Sequence, residues 1–124
     1  MTDKRPVNLD IGTIDLPLPA LASITHRITG VILVAGVAIL LWLLDESLAS
    51  EAGFNNAKAL GDSFLAKLLV WGVLSALIYH SVAGIKHLIM DLGIGETLEG
   101  GQVGARLVIA VSAVLMILTG VFIW

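Results

Sequence analysis

The chain has 124 residues, 57% hydrophobic and 14% charged, with a formal net charge of −3 and no cysteine. Its mean hydropathy is +0.97. A soluble domain carries about 45–50% apolar and about 25% charged residues, so the composition excludes a water-soluble core and indicates one integral membrane domain. Without cysteine, disulfides, thiolate catalysis and iron–sulfur ligation by this chain are excluded.

The N-terminus, MTDKRPVNLDIGTIDLPLPA, has no hydrophobic run directly after its basic residues and does not read as a cleavable signal peptide. It holds three prolines and shows no helical period before Ala20, so residues 1–19 are expected to be extended, cytoplasmic and laid against another protein. Three stretches then lack formal charge: 28–44, 68–85 and 107–124. Each reaches the roughly 17–25 residues of a membrane-crossing helix once its flanks snorkel. Three strands could not close a barrel and would leave backbone groups unpaired in lipid. The expected fold is therefore an all-α membrane protein, with three transmembrane helices over about 22–45, 63–91 and 103–124 in a domain spanning 20–124. The first connection, 45–62, is acidic and rich in small residues, and the second, 91–104, holds Gly93, Gly95, Gly100, Gly101 and Gly104. Both read as turns or short loops.

Orientation follows from Lys and Arg. Lys4, Arg5, Arg27, Lys86 and Arg106 lie on one side, against Lys58 and Lys67 on the other. This distribution predicts a cytoplasmic N-terminus and a C-terminus on the far side, periplasmic in a bacterium. Trp42, Trp71 and Trp124 all fall at the outer interface, where indoles are favoured.

The second span carries His80 and, seven residues on, His87. Seven residues turn about 700°, so the two share a face about 10 Å apart along the axis. Ala76, Ala83 and Gly84 fall on that face. Small residues let a helix or a flat ligand approach the backbone. The face alone is compatible with two roles for His80: a hydrogen bond across a helix interface, or an imidazole ligand to a porphyrin iron. Ser23, His26 and Arg27 are expected level with Lys86, His87 and Asp91, forming a cationic, hydrogen-bonding rim below a mid-depth His80. Such a rim suits haem propionates or a quinone head group. If His80 is an axial ligand, His26 and His87 sit too near the edge to supply the second, which must come from another chain. Gly30, Gly36, Ser112, Thr119 and Gly120 read as ordinary helix-packing residues. No phosphate loop, HExxH helix or GxSxG elbow is present, and no basic aromatic surface suggests nucleic acid.

Two stretches carry a family resemblance. RPVNLDIGTIDLPLPALASITHRIT (5–29) is similar to the N-terminal signature of the cytochrome b membrane-anchor subunits of succinate dehydrogenase, respiratory complex II, through Arg5, Pro6, Ser23, His26, Arg27 and Thr29. HSVAGIKHLIMDLG (80–93) resembles their second signature through His80, Gly84, His87, Asp91 and Gly93. Lys86 departs from the family's usual Arg and lacks its bidentate geometry. The resemblance implies half of a two-subunit haem-binding bundle. His80 would be the axial ligand of haem b, and a partner anchor subunit would supply the other ligand. His26, Arg27 and His87 would lie near the propionates, and Ser23 and Arg27 would belong to the ubiquinone site. It further implies an iron–sulfur subunit and a flavoprotein on the cytoplasmic side of a bacterial inner membrane, with no succinate-oxidising site in this chain. The rival readings are an anchor of a quinol:fumarate reductase, a small proton-coupled transporter using His80 as a relay, and a cofactor-free scaffold. The transporter reading calls for an acidic partner or a broken helix at mid-depth, and no Asp or Glu lies in the three uncharged runs.

Overall fold

A computed structural model of the chain describes residues 6–124. The Lys4 and Arg5 contributions to the charge asymmetry and to the first signature lie outside the described residues. Four helices follow one another: α1 (Leu18–Ala49), α2 (Glu51–Gly61), α3 (Phe64–Asp91) and α4 (Leu98–Ile123). Three of them, α1, α3 and α4, are long and apolar enough to cross a membrane. The 32 residues of α1 extend about 48 Å, well beyond a hydrocarbon core of about 30 Å. Large apolar side chains point outward, among them Phe122 at 91% exposure and Val34 at 78%. Water would not tolerate that surface; lipid does.

Two expectations are corrected by the helix ends. The N-terminal segment is not extended as far as Ala20. A 3-10 turn forms at Ile11–Thr13 with Asp10 accepting the Gly12 N–H at 3.1 Å, and α1 begins at Leu18 after Pro17. Proline is tolerated there because the first turn has no use for its missing N–H. The first connection is not a loop either. α1 runs on to Ala49, Ser50 turns extended, and its hydroxyl caps α2 by accepting the Gly53 N–H at 2.9 Å. Gly53 is obligatory at this corner, since a β-carbon would collide with the Glu46 carbonyl. The second connection is a short loop, 92–97. Gly93 (φ 83°) and Gly95 (φ 74°) take left-handed conformations within it. Thr97 then caps α4 through the Gly100 N–H at 3.0 Å.

The three long helices form one bundle, with α3 packed on both α1 and α4 and α4 also touching α1. Leu33, Val73 and Ala76 form one buried cluster, with Leu40 against it. Tyr79, Ala83 and Val108 form the second, with Val82 and Met116. Helices in lipid associate by close packing of small residues rather than by hiding apolar surface from water. Gly36 shows this: a β-carbon there would stand 2.8 Å from Val73 Cγ1. At the opposite end from the histidines, Trp124 lies against Trp71 (6.3 Å between ring centroids) and Phe64 (6.1 Å). The Trp71 indole also ties α3 to α4 at this end. Its N–H donates to the Met116 carbonyl on α4 at 2.9 Å.

Candidate functional site

The α1–α3 interface brings His26, His80 and His87 into one column. The His26 and His80 rings stack face to face, centroids 4.0 Å apart and 9° from parallel. His87 meets the other side of the group edge-on, 5.1 Å from His26 at 66°. Glycines make room on both helices. A β-carbon at Gly30 would come within 3.0 Å of His80 Cε1, and one at Gly84 within 3.6 Å of His26 Nε2.

The surroundings of His80 assign its proton. Nδ1 lies 3.0 Å from the His26 carbonyl oxygen and 3.2 Å from Thr29 Oγ1. A carbonyl can only accept, so Nδ1 carries the hydrogen and donates it. The Thr29 hydroxyl, with the Thr25 and His26 carbonyls each at 2.9 Å, spends its own proton on one of them and offers Nδ1–H a lone pair. In the neutral ring, Nε2 is then the atom with a free lone pair. The adjacent Tyr79 anchors the same helix pair, its buried hydroxyl donating at 2.9 Å to the carbonyl of Ala22, one turn before His26 on α1.

This geometry changes one step of the sequence reasoning. His26 was expected at the edge, level with His87 and below His80. It lies about one turn deeper, level with Gly84, and touches both other histidines. It is therefore near enough to His80, but on the wrong side of it. With the rings face against face, the two imidazoles would not both offer a nitrogen to one iron, so His80 alone of this pair would hold it. Nor do the three rings form a cage: among the described residues no group of three or more His, Asp or Glu could hold a metal ion.

Ser23 and Arg27 occupy the first turns of α1, four residues apart on one face. Ser23 is half-buried and Arg27 exposed. Ser23 is not the helix cap, because α1 starts five residues earlier, at Leu18. Thr25 returns its hydroxyl to the Leu21 carbonyl at 2.8 Å, and Ser23 makes no corresponding bond within the described chain. Lys86, adjacent to His87 in sequence, turns away from the histidines and runs along α4, its Cε 3.0 Å from where a Gly104 β-carbon would sit.

Sequence reasoning missed three contributors. Gly30 was read as ordinary packing, yet it forms the floor beneath the imidazole. Thr29 entered as a matching letter without a role, and its hydroxyl touches Nδ1. Tyr79 received no notice. Two sequence signals were available: Thr29 is three residues and Gly30 four residues beyond His26, the spacing that stacks residues on one helix face.

The family described as succinate dehydrogenase/fumarate reductase transmembrane subunit matches residues 1–119. The succinate dehydrogenase cytochrome b556 subunit of Coxiella burnetii is 41% identical over 125 residues, covering all of both chains. The cytochrome b556 subunit of Paracoccus denitrificans is 37% identical over 116 residues, 94% of this chain and 89% of that one. The mitochondrial cytochrome b560 subunit of Bos taurus is 35% identical over 101 residues, 79% of this chain and 59% of that one. The three spans, the histidine face and a match across nearly the whole length agree, and the chain belongs to the succinate dehydrogenase/fumarate reductase transmembrane subunit family.

Proposed function

We propose that this chain is a membrane-anchor subunit of a succinate:ubiquinone oxidoreductase, holding haem b together with a second anchor subunit and contributing to the site of quinone reduction. The observation that carries the reading is the hydrogen bond from His80 Nδ1–H to the His26 carbonyl at 3.0 Å. Histidines that ligate metals commonly donate their other ring N–H to a carbonyl, which fixes tautomer and ring orientation. His80 is prepared in that way, with Nε2 free to ligate and Gly30 leaving the ring its space. His26, Arg27 and His87 would lie around the propionates. When bound, the haem supplies a one-electron centre within the membrane. The facing ligand would come from the partner anchor subunit, since His26 is stacked on His80. The relatives' names place them in succinate dehydrogenase, which favours the succinate-oxidising direction over a quinol:fumarate reductase. An iron–sulfur subunit and a flavoprotein would then sit on the cytoplasmic face. The Lys and Arg distribution supports a bacterial inner-membrane protein with its N-terminus in the cytoplasm.

His80→Leu tests the ligand. The change places an apolar residue in an apolar span, so membrane insertion should survive. The reduced-minus-oxidised absorbance difference of the purified complex should lose its haem b bands or shift to a five-coordinate form. An unchanged difference spectrum excludes His80 as a ligand.

The quinone assignment rests on Ser23 and Arg27. Ser23 can hydrogen-bond a quinone carbonyl, and the Arg27 guanidinium can stabilise negative charge as the ring is reduced. Ser23→Ala and Arg27→Leu should slow succinate-driven quinone reduction about 10²-fold, the order seen when a donor to a developing oxyanion is lost. Reduction of an artificial acceptor by the soluble subunits should stay near normal. A parallel fall in both activities means damaged assembly, and no fall in either removes these residues from the site.

A further inference from the structure

A groove of about 600 Å³ opens between α3 and α4, within the usual range of ligand pockets. It lies on the side of α3 away from the histidines: Ile89 is two residues past His87, a turn of about 200°. The groove is polar at one end and apolar along its length. Lys86, Thr97 and Glu99 stand at the loop end, and Val82, Leu107 and Val111 continue inward. From Glu99 to Val111 is twelve residues along α4, about 18 Å, close to one leaflet of a hydrocarbon core of about 30 Å. A transmembrane helix would need a groove running the full thickness; one acyl chain needs a single leaflet.

The charges at the mouth define the head group. Lys86 reaches the mouth by laying its methylene stem across the bare backbone of Gly104. Glu99 lies in the first turn of α4 and shares the lining. Asp91 and Glu96 add further carboxylate at the same end of the helices. A purely anionic lipid would meet Lys86 but also these acids. A zwitterion carrying a phosphate and an ammonium matches both signs, and a primary ammonium, unlike a quaternary one, has N–H groups to donate to the Glu99 carboxylate. The loop at the mouth is held in shape by the left-handed glycines 93 and 95, and a β-carbon at Gly100 would stand 2.9 Å from the Gly95 backbone.

We infer that this groove is a binding site for one phosphatidylethanolamine, its phosphate on Lys86, its ammonium on Glu99 and one acyl chain between α3 and α4. Its lining includes none of Ser23, His26, Arg27, His80 and His87.

The test uses the whole enzyme complex containing this chain, delipidated in detergent. Phospholipid adducts are counted by native mass spectrometry after equal additions of dioleoyl phosphatidylethanolamine, phosphatidylcholine or phosphatidylglycerol. One adduct should resist dissociation, with the ethanolamine lipid favoured about fivefold over each of the others, the upper end for one solvent-accessible ion pair. Glu99→Gln should abolish the preference over phosphatidylcholine while an adduct remains. Lys86→Met should weaken all three lipids alike. Val103→Trp, which fills the groove and leaves both charges, should remove the adduct. Quinone reduction by Glu99→Gln and Val103→Trp should stay at the parental rate, showing an intact bundle. Equal retention of the three lipids, a preference for phosphatidylglycerol, or an unchanged adduct in Val103→Trp overturns the proposal. So does a photo-crosslinker at position 103 that captures another subunit rather than lipid.

Discussion

The two sides of α3 are held by different physics. Toward α1 the specific contacts are polar and land on backbone: His80 on the His26 carbonyl and the Tyr79 hydroxyl on the Ala22 carbonyl. Toward α4, at the level of the histidines, the contacts are a volume fit of the Tyr79 ring, Ala83 and Val108; the polar bond of this face, from the Trp71 indole to the Met116 carbonyl, lies at the far end of the helix. The polar group buried on α4, the Ser112 hydroxyl at 1% exposure, has no hydrogen-bond partner among the described residues. In lipid, apolar burial offers little gain for pairing one helix with another, so direction and register must come from shape and hydrogen bonds. A hydrogen bond to a named carbonyl fixes register to a single residue. A row of alanine and valine fixes distance more firmly than register. Beside the histidines, α3 is registered on α1 by two such hydrogen bonds, whereas its one such bond to α4, Trp71 to Met116, sits at the opposite end.

Substitutions that act on one side and spare the other can break this contrast. The largest effect is expected for Gly30→Leu. Even a single β-carbon would stand 3.0 Å from the His80 imidazole, and a branched side chain must displace the ring. Overpacking costs about 1–3 kcal/mol. Here it also separates Nδ1 from its carbonyl, so haem b content of the assembled complex should fall severely, read by the same difference spectrum. Retained haem at the parental level would show that the imidazole does not need this floor.

Gly36→Ala is the matched control two turns along α1. Its β-carbon would meet Val73 at 2.8 Å, an apolar neighbour with no role in the site. Overpacking of about 1–3 kcal/mol is offset by up to about 1 kcal/mol of helix propensity. Thermal unfolding should come earlier while the haem spectrum keeps its shape. A spectrum altered as much as in Gly30→Leu would mean that helix spacing, not the local floor, controls His80.

The smallest effect is expected on the α4 side. Ser112→Ala removes a buried hydroxyl without a partner, and leaving such a group unsatisfied costs about 1–3 kcal/mol. The variant should unfold at the same or a slightly higher temperature. A clear fall would reveal a bond to the Ser112 hydroxyl from outside the described chain.

The three spans were legible because charge is so expensive in hydrocarbon that its gaps mark helices directly. Helix α2 was not legible in that way. Residues 51–61 have no charge-free run long enough to span a membrane, and the clearest signal was local: Ser50 and Glu51 form an N-terminal signature of cap and first-turn acid. At the site, periodicity placed His80 and His87 on one face, and the column contains both. It could not place His26 correctly, because the register between α1 and α3 is set by close contacts at Gly30, Gly36 and Gly84, whose partners His80, Val73 and His26 are far away in sequence and are revealed only by folding. Lys86 carried a similar ambiguity. Its neighbour His87 faces α1, but one residue is a turn of about 100°, enough to send the lysine to α4.

The bond between His80 and the His26 carbonyl also sets an order in time. Its two ends are 54 residues apart in the chain. At about 5–20 residues per second of synthesis, His80 is made about 3–11 s after His26. Throughout that interval the imidazole of His26 lacks the ring that later covers it. The pairing of α1 with α3 therefore waits for α3 to be made, and any factor that shelters nascent polar helices has seconds, not milliseconds, in which to act.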